Sequence, residues 1–251
     1  MKLKHVVASW SGGIDSTAVL AQLAMRGYEI TAVVLDIYRV QMPLFAAREY
    51  KARQNLIPPL TDLAESNGGS LKVMTGEADW IWAFSNDGIE IPRRNKHIID
   101  HLIVRHMMPE GITNIAMGEY VGADTWLVRD HVGASDADHR SLSAYLYLEY
   151  GLRYRLISLQ DFGESRYKSD RLRLGVQAIG SFMAFTTNCL ANSRLHCGTC
   201  YKCVERAAAH EVSGIIDATD YESDPREHPR FALYLRQMNG EDVTSSFSVQ
   251  C

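Results

Sequence analysis

What the chain lacks narrows it first. No apolar run approaches the ~20 residues that a membrane-spanning helix needs, so no span is expected. Lysine and arginine (26) fall short of aspartate and glutamate (30), for a net charge of −4 and a pI near 6.1. A surface that binds nucleic acid by neutralising phosphates needs the opposite balance. Proline is scarce, seven in 251 residues, and no Pro/Gly linker, low-complexity tract or internal repeat divides the chain. The lysine-bearing loop G-x-x-x-x-G-K-[ST] is absent, which excludes the Walker class of phosphate sites. Met1-Lys2-Leu3-Lys4 leads straight into a strand-like run and not into a signal peptide. Cysteines number only five, an odd count, with four of them between 189 and 203. That distribution argues against a disulfide framework and for a reduced, cytoplasmic setting.

What is present begins with Ser9-Trp10-Ser11-Gly12-Gly13-Ile14-Asp15-Ser16-Thr17. The apolar run His5-Val6-Val7-Ala8 before it reads as a buried strand, and Ala18 to Met25 after it as a helix with Gly27 just past its end. Adjacent glycines at a strand-to-helix turn let several backbone N–H groups face one anion, and the helix dipole favours negative charge there. Ser11, Ser16 and Thr17 add hydroxyl donors. Asp15 conflicts with a phosphate unless a cation lies between them, so Mg²⁺ is inferred. The plainer reading is an ordinary glycine turn, but the whole hexapeptide Ser11–Ser16 in this context favours a nucleotide site.

The 46% hydrophobic content suffices for a sizeable core. Glu29 to Asp36 reads as a second strand, nearly continuous in apolar residues as a parallel strand covered on both faces should be. Asp36, at its carboxyl end, either borders a ligand or is a helix cap or solvated loop residue. Leu44 to Leu56 is helix-like, Pro58-Pro59 are expected to break it, and Leu60 to Ser66 to resume. Leu71–Met74 and Ile112–Met117 read as the third and fourth strands, Tyr154–Ile157 as a short fifth, and Ser169–Gly180 as a helix. Between them, Thr75 to Ile91 forms a long aromatic connection, either a lid or a packed satellite cluster. Arg93 and Arg94, before Asn95 and a helical run, oppose the helix dipole. A bound anion relieves that conflict, and a salt bridge to Glu90 or Asp100 is the alternative. The segment 120–140 carries scattered Asp and His residues after Gly118-Glu119, either a substrate loop with Glu119 and Asp124 or solvated surface.

Cys189-x₇-Cys197-x₂-Cys200-x₂-Cys203 is the second strong motif. Four thiolates in so short a window complete one tetrahedral shell, which favours structural zinc, and an iron–sulfur cluster stays open as the alternative.

With both motifs in place, the chain resembles the 7-cyano-7-deazaguanine synthase (QueC-like) family of the ATP-pyrophosphatase (PP-loop) superfamily. Three segments carry the likeness: Ser11 to Ser16, Pro92-Arg93-Arg94-Asn95, and the four cysteines with Arg206 three residues after the last. The resemblance spans about residues 5–210 and implies an α/β, Rossmann-like (adenine nucleotide alpha hydrolase-like) parallel sheet with helices on both faces and a C-terminal zinc-binding helical segment. Residues 1–180 would form the nucleotide-binding domain, with 181–251 packed on it. It further implies ATP held by Ser9, Ser11, Gly12, Gly13, Asp15, Ser16, Thr17 and Asp36. Catalysis would fall to Asp15, Arg94 and Lys168, and substrate contact to Arg93, Arg94, Asn95, Glu119 and Asp124. The implied reaction adenylates 7-carboxy-7-deazaguanine, and ammonia converts the acid to the amide and then the nitrile. The expected partners are that acid, ATP and ammonia or another amine, with a homodimer as the expected assembly. Two alternatives remain from the same superfamily. One is a defence-associated paralogue that joins an activated deazaguanine to an amine of another molecule, such as a protein. The other is an RNA-modifying enzyme, which the acidic balance disfavours.

Overall fold

The computed structural model describes residues 5–35, 42–76, 114–116, 155–163, 167–241 and 243. Its elements are β1 (His5–Ser9), α1 (Ile14–Met25), β2 (Glu29–Leu35), α2 (Pro43–Ser66), β3 (Ser70–Gly76), β4 (Asn114–Ala116), β5 (Arg155–Ile157), α3 (Lys168–Ile179), α4 (Tyr201–Ser213) and α5 (Phe231–Met238). Short 3₁₀ turns lie at Leu159–Asp161, Gly180–Phe185 and Pro225–Glu227.

The five strands form one all-parallel sheet in the order β3-β2-β1-β4-β5. Consecutive residues Val6, Val7 and Ala8 of β1 point to opposite faces, yet all are essentially inaccessible, so both faces of the sheet are covered. Val6, Ala8, Ile30, Ala32 and Val34 share one core with Leu20 and Leu23 of α1 and Leu56 and Leu60 of α2. The expected α/β class with parallel strands is what forms. Strand order reverses at β1, with β2 on one side and β4 on the other. Ligands of open α/β sheets bind beyond the carboxyl ends of the strands at such a reversal, and the Ser9–Gly13 turn occupies that place.

One expectation fails. Pro58 and Pro59 do not break α2, which runs unbroken from Pro43 to Ser66. Each proline deprives one carbonyl of its intrahelical donor, those of Gln54 and Asn55. Both of these residues are exposed, so water can satisfy them. Meanwhile Leu56, Leu60 and Ala64, spaced four apart and fully buried, hold one stripe on the core across the proline pair.

Beyond Ile216 the described residues pack back onto the chain. Asp217 is buried in an ion pair with Arg206 at 3.1 Å. Phe231, Tyr234 and Met238 of α5 pack on Val204, Ala207 and Ala208 of α4 in a second apolar cluster. Among the described residues no helix is long and apolar enough to cross a membrane.

Candidate functional site

Between β1 and α1 the chain turns over Trp10-Ser11-Gly12-Gly13. Gly12 has φ +86°, where a side chain is strained, and a Cβ there would meet Arg53 Cγ at 3.2 Å. Trp10 anchors the turn from below: its amide donates to the Val33 carbonyl (2.9 Å) and its indole N–H to Thr17 Oγ1 (3.1 Å). The Thr17 hydroxyl is fully buried where it accepts this bond. Ser11 and Ser16, with their Oγ atoms 3.1 Å apart, remain at the accessible side, and Ser9 ends β1 half-buried. Gly13 caps α1 without any side-chain cap of its own, and its N–H donates to Ser11 Oγ at 3.2 Å. From α2, Arg53 donates to the Ser11 carbonyl at 3.2 Å.

Asp15 lies in the first turn of α1, where the dipole favours a carboxylate. Its Oδ2 accepts from Lys168 Nζ at 2.7 Å and its Oδ1 from Arg171 at 3.1 Å. Both cationic side chains are fully buried, and Lys168 Nζ also lies 3.3 Å from Glu205 Oε2. Charges this deep are tolerable because they are paired. The compensation that sequence reasoning assigned to a magnesium ion is supplied, in part, by two side chains of α3. Sequence reasoning proposed Lys168 and missed Arg171. The available signal is their spacing, three apart at a helix start and therefore on one face.

The four cysteine Sγ atoms lie within 4.8 Å of one another, with Cys200–Cys203 at 3.5 Å and Cys197–Cys203 at 4.0 Å. A tetrahedron of thiolates at the usual Zn–S length of about 2.3 Å has edges of about 3.8 Å, so the set fits a metal such as zinc. Backbone N–H groups of Ala191 and Cys197 donate to Cys189 Sγ, and that of Cys200 to Cys197 Sγ. Such donors stabilise thiolates. Hydrogen bonds from the Cys189 and Cys203 thiols draw the Cys200 thiol down, while hydrogen bonds with Cys189 and Cys200, and burial, push Cys203 up. Sulfurs so crowded cannot all ionise without a cation among them. Gly198, inside the first Cys-x₂-Cys pair, has φ +76°, and a Cβ would overlap the Ser223 carbonyl.

This cysteine segment is docked on the glycine turn. The Thr187 N–H donates to the Gly12 carbonyl (2.9 Å), and Asn188 Oδ1 accepts from the Ile14 N–H (3.4 Å). Arg48 of α2 reaches the carbonyls of Cys189 (3.0 Å), Ala191 (2.7 Å), Ser193 and Leu195 (3.1 Å), so the loop curls around one guanidinium. Its planar five-donor fork suits that task. Asn192 Oδ1 in turn accepts from Leu44 and Phe45 at the start of α2. Neither Arg48 nor Asn192 carries a sequence signal, because a single arginine on a helix most often faces solvent.

Arg206, which the resemblance singles out, braces the segment. It is fully buried, donating to the Thr186 carbonyl (3.0 Å) and to Asp217 (3.1 Å). Burial raises the Asp217 pKa, and the Arg206 guanidinium, with His210 and hydrogen bonds from Tyr221 and Thr219, together more than reverse this, holding it at about 2. His210, 2% exposed, is lowered to about 4 by burial and then by Arg206. The sign follows: between pH 6.5 and 4 the unfolded chain protonates this imidazole and the folded one does not, so stability falls on acidification. Asp217 adds a further loss only below pH 3.8, through about 2. From pH 7.5 to 5.0, His210 accounts for about 2 kcal/mol of lost stability. Urea unfolding at the two pH values should therefore show His210→Asn losing less than the wild type by that amount. Equal losses would remove His210 as the cause.

Asp36, Arg93, Arg94, Asn95, Glu119 and Asp124 lie outside the described residues. Of the sequence-derived site, the structure brings together the Ser11–Ser16 turn, Lys168 and, through Thr187 and Asn188, the four cysteines.

No protein-family model matches the chain. Relatives are nonetheless found over most of its length. It is 25% identical over 244 residues to "7-cyano-7-deazaguanine synthase 2" of Sulfurisphaera tokodaii, covering 88% of this chain and 49% of that protein. It is 24% identical over 237 residues to "7-cyano-7-deazaguanine synthase" of Desulfitobacterium hafniense, covering 87% and 94%. With the protein of the same name from Thermoplasma acidophilum the identity is 26% over 243 residues, covering 90% and 95%. The chain thus spans about half of the first relative and nearly all of the other two.

Proposed function

We propose that the chain, which is similar over most of its length to proteins named 7-cyano-7-deazaguanine synthase, is an ATP-dependent carbon–nitrogen ligase acting on 7-carboxy-7-deazaguanine. The observation that carries this reading is the meeting of Lys168 and Arg171 with Asp15 at the head of the glycine turn. A carboxylate is activated when its oxygen attacks the α-phosphorus of ATP and pyrophosphate leaves, giving an acyl-adenylate. Ammonia then adds to the acyl carbon, AMP departs and the amide forms. A second adenylation, on the amide oxygen, precedes loss of AMP to give the nitrile.

In this reading the backbone N–H groups and hydroxyls of Ser11, Gly12, Gly13 and Ser16 hold the departing pyrophosphate, with Ser9 and Asp36 bordering the nucleotide. Lys168 and Arg94 neutralise the charge that grows on the phosphoryl oxygens, an effect worth most in a dry site. Asp15 holds Lys168 and Arg171 in place and completes the site for Mg²⁺, which would supply charge neutralisation at the phosphates. Arg93, Asn95, Glu119 and Asp124 orient the acid. Positioning carries much of the rate, as in other adenylyl and phosphoryl transfers. The closed Cys₄ set leaves no open coordination position, so the zinc it would bind is structural.

The test is product analysis of the protein with Mg·ATP, 7-carboxy-7-deazaguanine and ammonium. AMP and pyrophosphate should form together, with the nitrile as the organic product. Accumulation of ADP, or no dependence of pyrophosphate release on the acid, would overturn the assignment.

A further inference from the structure

A lysine at the first position of a helix, with its amine wholly buried, is an unfavourable arrangement: its charge opposes the dipole and lacks water. Lys168 is in that position, and two carboxylates from different elements offset the cost. Asp15, on α1, divides its oxygens between Lys168 (2.7 Å) and Arg171 (3.1 Å). Glu205, on α4, lies 3.3 Å from Lys168 Nζ and 3.8 Å from Lys202 Nζ, with its side chain 8% exposed. Glu205 is two residues beyond Cys203, on the helix whose N-cap is Cys200. The amine is therefore suspended between the nucleotide turn and the helix that the cysteine cluster begins.

We propose that Glu205 is a positioning residue: it holds Lys168 against α4 so that the amine keeps its place when Asp15 engages a metal-bound polyphosphate. This rests on the reading of Lys168 as the cation beside the phosphates. Asp15 alone would draw the amine wherever its own carboxylate moves. A second, independently anchored carboxylate keeps the amine at the turn, and its anchor is the cluster at the start of α4. Lys202, partly exposed and farther from the same oxygen, is a solvent-side neighbour without this role.

The test compares Glu205→Gln, Glu205→Asp and Lys202→Ala with the wild type at equal metal content. In turnover, Glu205→Gln should lose tenfold or more in kcat while the ATP KM stays within threefold. Glu205→Asp should recover part of the loss, and Lys202→Ala should match the wild type. A structural defect would instead raise KM and lower metal content together. The second readout needs no turnover: acetic anhydride labelling of Lys168, followed by mass spectrometry. Lys168 should label at least fivefold faster in Glu205→Gln, with other lysines unchanged. If Glu205→Gln does not fold, Glu205→Asp, which withdraws the carboxylate by one methylene, should show the same two changes more weakly. Unchanged labelling of Lys168 and unchanged kcat would overturn the proposal. Faster labelling in a protein whose wild type releases no pyrophosphate would support Glu205 as the anchor of Lys168 and sink the proposed reaction instead.

Discussion

Lys168→Met should abolish most turnover, lowering kcat by about 10²–10³-fold, the usual effect of removing one preorganised donor from a developing charge. Methionine keeps the buried volume and removes only the charge and its donors. Asp15 retains Arg171 at 3.1 Å, whereas Glu205 loses its 3.3 Å contact with the amine. Breaking a buried pair by deleting one partner typically costs about 3–5 kcal/mol, so a lowered melting temperature should accompany the loss of rate. The two effects separate on ATP binding, measured by calorimetry on the folded variant at low temperature. Affinity should fall far less than kcat, because the lysine is assigned to charge that grows in the transition state. Lys168→Arg should not rescue, since the planar guanidinium cannot occupy a slot shaped for a point charge already flanked by Arg171. A Lys168→Met protein with kcat within threefold of wild type would show that the amine is only a structural counter-ion.

Cys203→Ser should release the metal and unfold the C-terminal segment. Cys203 is fully buried, and its sulfur lies 3.5 and 4.0 Å from those of Cys200 and Cys197. A serine hydroxyl neither ionises near neutral pH nor matches the Zn–S distance, so the shell cannot close. Zinc binding in small domains contributes on the order of 10–16 kcal/mol of folding free energy, which sets the ceiling for the loss. Arg48, the Thr187–Gly12 hydrogen bond and the Arg206–Asp217 pair remain, and these contacts limit the damage. The expected result is metal falling from one equivalent per chain to near zero, with the melting temperature down by about 10 °C or more. Because Thr187 and Asn188 bond directly to Gly12 and Ile14, ATP affinity should fall as well. A variant with a full equivalent of metal and wild-type melting would remove the cluster from the folding of this segment.

Local pattern carried much of this fold. Val6-Val7-Ala8 is apolar without alternation and Ile30 to Val34 nearly so, broken only by the buried Thr31, and a strand covered on both faces requires that, so their parallel pairing followed. The glycine pair and the cysteine spacing are equally local, since each works through residues within a few positions of one another. The proline pair misled for a reason just as physical. Propensity is summed over neighbours, but the buried stripe Leu56–Leu60–Ala64 contributes more than two exposed hydrogen bonds cost.

By itself, then, the sequence determined the glycine turn and the cysteine cluster, because both are built from short runs of backbone and side chain. Only the tertiary structure decided what surrounds them. It brings Lys168 and Arg171 to Asp15 across about 150 residues of chain, sets Glu205 behind the lysine, and threads Arg48 through the carbonyls of the cysteine loop. Charges so far apart in sequence acquire their partners only when the helices that carry them pack, since burial is what makes pairing necessary.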